Sequence, residues 1–206
     1  CAYVLEKKCQ PNLLMNIKNN KNYLLALHSS TAAFGVAVLK LSKTNSIIQS
    51  STFDIGRKLS NDLFICVEEL LPRKFWPEIA RLAVATGPGG FTGTRLTIAM
   101  ARIIAQQIHC PLDGVSSFSL MAKRLAKELT PQEQKQPFWI KQFLKRRGLI
   151  AGKYLIKNIS SEINHNEAVE LIAPYLLPKD MHISPAIEFK EDVSKDTLEL
   201  LNISLK

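Results

Sequence analysis

Apolar residues recur along this 206-residue chain with two periods, and the periods separate strands from helices. Short apolar runs at 23–27, 34–41 and 47–55 predict three strands, joined by connections short enough to make them antiparallel neighbours. Ser60 has N-cap chemistry and opens a helical pattern that reaches Leu71, where Pro72 stops it. A buried strand at 82–85, a helix at 94–108 and a strand at 112–115 follow. Ser116 or Ser117 then caps a helix through Leu129, with Pro131 beyond its end. This order predicts an α/β lobe over 23–130, with helices on both faces of a mixed five-stranded sheet. In 131–206, strands at 138–143 and 149–159 flank a turn at Arg146-Arg147-Gly148, and 167–175 reads as helical. An amphipathic helix at 192–201 completes what reads as a reduced second lobe. Residues 1–22 are rich in Asn and Lys and lack a sustained period, so they read as a disordered tail in which Met15 is a candidate true start.

Two helices carry more apolar surface than one core needs. Leu63, Phe64, Cys66, Val67, Leu70 and Leu71 form a stripe wider than the roughly 100° expected of a helix facing one core, and Ile65 stands alone among Asp62 and Glu69. On the 94–108 helix, Leu96, Met100, Ile103 and Ile104 cover one face, while Ile98, Ala101, Ala105 and Ile108 cover roughly the opposite one. Arg95, Arg102 and Gln106 are left as its polar strip. The second face is covered either by the rest of the chain or by a partner subunit docking helix against helix, and the pattern favours the partner. The expected interface residues are Leu63, Phe64, Val67, Ile98, Ala101, Arg102 and Ala105. Periodicity alone does not decide which face meets the sheet.

Composition narrows the function classes. Hydrophobic content of 46% and charged content of 22% are ordinary for a globular domain. No apolar run approaches the ~20 residues that span a bilayer. The net charge of +9 is spread widely, with Lys145-Arg146-Arg147 the one tight cluster and no aromatic residues interleaved as a stacking surface. That pattern favours a solvated basic surface over an RNA-reading face. The four cysteines form no C-x-x-C pair, and Cys66 and Cys110 sit in apolar stretches as buried thiols, which fits a reducing cytoplasm.

The segment 82–108 is the most specific motif. A strand, a glycine-rich loop and a helix place backbone N–H groups where phosphate binds well. Gly87, Gly89 and Gly93 give G-x-G-x-x-x-G, one residue longer than the dinucleotide fingerprint, and Thr94-Arg95 stands where a P-loop needs Lys-Ser or Lys-Thr. The spacing fits a bare strand-to-helix connection as well as it fits a loop at a ligand.

The stretch 24–31 (LLALHSST), GPGGFTGTR at 87–95 and LDGVSSF at 112–118 together resemble the TsaB (YeaZ) family, of the kind found in cyanobacteria. RRG at 146–148 followed by AGKY at 151–154 resembles the start of that family's second lobe. The resemblance implies an actin-like (ASKHA, Hsp70-like) fold and a role in making N6-threonylcarbamoyladenosine at position 37 of tRNAs that read ANN codons. It implies a non-catalytic subunit in the cytoplasm that pairs with a TsaD-like paralogue through its first two long helices and is joined by a TsaE-like ATPase. A homodimer without the partner, tRNA met only through the complex, no membrane and no cofactor of its own complete that picture. The paralogue's metal-binding His-x-x-x-His corresponds here to positions 117–121, where Ser117 and Met121 replace both histidines and suit no catalytic ion. His28 stands where most of the family has Asp, and its expected role is that of a strand-end residue hydrogen-bonded locally. The glycine loop (Gly87, Gly89, Gly90, Thr92 and Gly93) would border a nucleotide shared with the partners, without being an autonomous ATP site. The competing expectation is a self-sufficient actin-like transferase dependent on a nucleotide, or a homologue of the M22 metalloproteases that share the superfamily.

Overall fold

The structure, a computed structural model, describes residues 3–7, 21–29, 33–42, 45–54, 56, 59–145, 147–158 and 166–205. Cys1, Cys9, Met15, Ser30, Thr31, Arg146 and His165 lie outside the described residues. The chain divides into two units, residues 1–115 with 192–206, and residues 116–191.

The first unit is built on a six-stranded sheet ordered β1-β4-β3-β2-β5-β6, where the sequence predicts five strands. Its strands are β1 (Tyr3–Lys7), β2 (Tyr23–Ser29), β3 (Ala33–Lys40), β4 (Ser46–Asp54), β5 (Ile79–Ala85) and β6 (Leu112–Val115). The extra strand is Tyr3–Lys7, which runs antiparallel to β4 within the segment expected to be a tail, and residues 1–2 and 8–20 of that segment lie outside the described residues. As expected, β2, β3 and β4 are antiparallel neighbours, and β5 and β6 continue parallel to β2. Side chains alternate across the pleat and divide the sheet into two faces. Leu25, Leu27, Phe34, Val36, Val38, Leu82 and Val84 meet helices α1 (Leu59–Leu70) and α2 (Phe91–Gln107) in one core.

The opposite face carries Leu24, Ala26 and His28 of β2, opposite Leu39, Ala37 and Gly35 of β3. Helix α4 (Val193–Ile203) packs on these strands. This corrects the assignment of the C-terminal helix to the second lobe. Small residues let α4 come close, and Gly35 is required where it sits. A Cβ there would collide with Thr197 Oγ1 and lie 2.8 Å from Val193 Cγ1. Asp192 caps the helix by accepting from Lys195 N at 3.1 Å.

The second unit is a four-stranded sheet ordered β10-β7-β8-β9, with strands β7 (Phe138–Leu144), β8 (Gly148–Asn158), β9 (Asn166–Leu176) and β10 (Ala186–Glu188). Helix α3 (Ser117–Leu125) belongs here, not to the first lobe as the sequence suggests, and Phe118, Met121, Ala122 and Leu125 close the core on Phe138, Ile140 and Tyr154. The predicted helix at 167–175 is instead the edge strand β9, antiparallel to β8 from Asn166 opposite Asn158 to Leu176 opposite Ile150. Pro174 would break a helix, and a proline is tolerated on an edge strand. The apolar run in that segment therefore answers to sheet pairing, which a period count over nine residues does not reveal.

Candidate functional site

The glycine loop lies where β5 ends. Thr86 N donates to Val115 O at 2.8 Å, which holds the loop against the end of β6. Gly87 has φ +92°, a left-handed conformation that a side chain would strain. Helix α2 begins at Phe91, three residues earlier than predicted, so Thr92 and Gly93 belong to its first turn and not to the loop. Gly90 is its N-cap and supplies no side-chain hydrogen bond. Thr94 Oγ1 instead donates to Ser29 O at 3.2 Å, tying the helix to the end of β2, and Thr97 Oγ1 donates to Gly93 O at 3.0 Å. Gly87 is buried, Gly89 and Gly90 are half-buried, and Thr92 is exposed. The loop thus places a helix start with no side-chain cap near the carboxyl ends of β2 and β5, a geometry in which backbone N–H groups can take an anion.

His28 departs from its expected role. It lies within β2, is 1% exposed, and neither ring nitrogen has a hydrogen-bond partner. Its cross-strand neighbour is Gly35, so the ring shares the sheet face that α4 covers. Burial pushes its pKa down to about 4, opposed by its own backbone carbonyl. A ring held neutral and enclosed in this way serves packing and not proton transfer.

Ser117 and Met121, which the resemblance sets at the positions of the paralogue's histidines, are both buried. Met121 belongs to the second unit's apolar core, and Ser117 Oγ has no hydrogen-bond partner. Among the described residues, no three His, Cys, Asp or Glu side chains are grouped as a metal site requires. What the sequence does not reveal is a hydroxyl cluster beside these positions. Ser116 caps α3 through Ser119 N at 3.1 Å. Ser116 Oγ, Ser119 Oγ and Tyr154 OH all donate to Glu170 Oε2, at 3.0, 2.8 and 3.1 Å. Burial, with the Glu170 charge, pushes the Tyr154 hydroxyl well above its ordinary value. Gly152 makes room, since a Cβ there would lie 2.9 Å from Tyr154 OH. Reading 167–175 as a helix hides Glu170, because only strand pairing sets it opposite Tyr154.

The expected partner residues separate into two groups. Leu63, Val67, Ala101 and Ala105 are buried in their own unit, which corrects their assignment to an external interface. Phe64 and Arg102 are exposed and Ile98 is half-buried, so these three remain on the surface. Ile65 and Ile103, at 65% and 55% exposure, join them on the outer faces of α1 and α2. Phe64 stacks on Trp76 with ring centroids 6.1 Å apart, and the Arg95 guanidinium lies 3.7 Å from the Phe91 ring centre. Helical spacing misplaces Ile103 with Met100 and Ile104, because a stripe that broad leaves its own edge undefined.

A first sheet with helices on both faces and a second, smaller sheet carrying its own helix make this an α/β protein of actin-like fold. YeaZ from Pseudomonas aeruginosa superposes with a TM-score of 0.63 at 20% identity, over 89% of this chain and 92% of that one. A structure described as a protein with similarity to peptidase YeaZ, also from Pseudomonas aeruginosa, gives 0.63 at 19%, over 89% and 91%. The family model described as TsaD, tRNA N6-adenosine threonylcarbamoyltransferase, matches residues 55–177. Two curated relatives are named tRNA threonylcarbamoyladenosine biosynthesis protein TsaB. That of Buchnera aphidicola is 23% identical over 193 residues, covering 88% of this chain and 85% of the relative. That of Bacillus subtilis is 26% identical over 110 residues, covering 48% and 43%. The chain belongs to the TsaD family and, within it, to the TsaB/YeaZ kind.

Proposed function

We propose that this chain is the non-catalytic partner subunit in the synthesis of N6-threonylcarbamoyladenosine at position 37 of ANN-decoding tRNAs. It docks on a TsaD-like paralogue through the outer faces of α1 and α2, a TsaE-like ATPase joins the pair in the cytoplasm, and tRNA is met within that complex. The observation that carries the reading is the apolar surface these helices leave in water: Phe64, Ile65 and Ile103, with Ile98 half-buried at its margin. Such side chains on helices whose inner faces already fill a core suit a helix-on-helix interface. The same surface would support a homodimer when the paralogue is absent. Filling of the two metal-ligand positions by a buried serine and a core methionine supports leaving the chemistry to the partner. Co-expression with the TsaD-like protein of the same cell tests the reading. A stable complex is expected, together with no tight stoichiometric metal and no nucleotide turnover by the isolated chain. A well-folded chain that binds metal and turns over alone would instead support the self-sufficient enzyme.

A further inference from the structure

Helices α1 and α2 carry opposite charge. Residues 59–70 contain Asp62, Glu68 and Glu69 and no cation, although the whole chain has 27 cationic and 18 acidic side chains. Residues 91–107 contain Arg95 and Arg102 and no acid. Two of these charges are already engaged. Glu68 accepts from Arg73 Nε at 2.9 Å, and the Arg95 guanidinium rests on the Phe91 ring. Glu69 and Arg102 are exposed and form no ion pair among the described residues, although both helices pack in one core. Glu69 also stands against the preference of its own helix. The last turn of α1 holds no basic residue, and the partial negative charge of a helix C-terminus disfavours a carboxylate there. An exposed carboxylate held at that end suits a cation brought by another molecule.

We propose that these charges set the orientation of docking: α1 meets a basic helix of the TsaD-like paralogue and α2 meets an acidic one, with Glu69 and Arg102 as the residues that discriminate. The inference rests on the proposed docking of α1 and α2 and names the chemistry of the surface that covers them. The paralogue is the occupant because the TsaD family model spans both helices, so that protein has a related helix pair to present. Packed about a pseudo-two-fold axis, the first helix of each chain can lie on the second helix of the other and bring acid to base twice. A like charge set opposite costs more than an exposed ion pair gains. Such residues therefore decide which partner and which orientation are accepted more than they add affinity.

The test is calorimetric titration of the full chain against the TsaD-like protein across a salt series, with gel filtration of the chain alone. Wild-type affinity should fall as salt rises. Glu69→Lys and Arg102→Glu should each weaken binding about tenfold at low salt, and E69K/R102E should weaken it further. In all three the salt dependence should flatten. Lys179→Glu and Asp180→Lys make the same changes on exposed residues of the second unit and should stay within about twofold of wild type. Glu69→Lys should melt no lower than wild type, because a cation suits the C-terminal turn. Three results would each overturn the proposal. One is helix variants that bind as the controls do. Another is a lowered melting point of Glu69→Lys, which would show that Glu69 serves the fold. The third is self-association lost in the single variants and recovered in E69K/R102E while the paralogue binds all of them equally. That result would assign the charges to a contact between two copies of this chain. I65E/I103E separates this inference from the docking reading. Loss of the complex in that variant alone leaves docking standing and sinks the charge assignment, and a complex untouched by either set sinks both.

Discussion

His28 has a measurable signature in the stability of the fold. Enclosed under α4 with neither nitrogen bonded, it stays neutral down to about pH 4, whereas in the unfolded chain it titrates near 6.5. Between those values the unfolded state binds the extra proton, so stability falls as pH falls from 6.5 to 4, and it is unaffected by this group above 6.5. The loss is on the order of 3 kcal/mol across that window. Urea denaturation at pH 7 and pH 4.5 should show it, and His28→Leu should remove most of the difference. An equal acid loss in the variant would show that another group is responsible. Gly35, opposite His28, makes a second residue-scale prediction. Gly35→Ala should destabilise by about 1–3 kcal/mol, because the added methyl meets Thr197 and Val193 in a closed contact. An unchanged thermal midpoint would mean that α4 does not sit as closely as the structure has it.

At the scale of elements, α1 has a buried inner face and an exposed outer face, and the proposed docking separates their roles. Leu63 and Val67 are buried against the sheet, while Phe64 and Ile65 face water. Leu63→Ala should cost about 2–5 kcal/mol through the cavity it leaves. Ile65→Ala should change stability by no more than about 0.5 kcal/mol and yet weaken partner binding. Paired denaturation and binding titrations check both, and an Ile65→Ala variant that unfolds as readily as Leu63→Ala would remove the distinction. The existence of both long helices and of β2–β6 is legible in the sequence, since their apolar runs are long or bounded by caps and prolines. The allocation of their faces is not. Burial of Ala101 and Ala105 with exposure of Ile103 reverses what side-chain size suggests, because the sheet lets small residues come close and leaves the larger one outside. The strand β9 was hidden for a related reason. Its identity is set by pairing with β8, a non-local contact that local periodicity does not record.

For the molecule as a whole, the chain leaves the first unit at Val115, builds the second, and returns at Asp192 to complete the first. A lobe boundary read along the sequence misses this return, because nothing in residues 192–201 says which sheet their apolar face will cover. Removing residues 192–206 would uncover Leu24, Ala26, Ala37 and Leu39, so the shortened chain should lose cooperative unfolding of the first unit, as followed by circular dichroism on heating. A cooperative transition at the original temperature would show that α4 is an accessory. The completed unit presents α1 and α2 with their outer faces free among the described residues, and on that surface the proposed role depends. The most direct measurement is gel filtration with calorimetric titration of this chain against the TsaD-like protein, comparing wild type with I65E/I103E. Both chains should melt alike, wild type should form a stable complex, and the variant should form none. A variant that keeps its fold and binds the paralogue as tightly as wild type would contradict docking through these two helices.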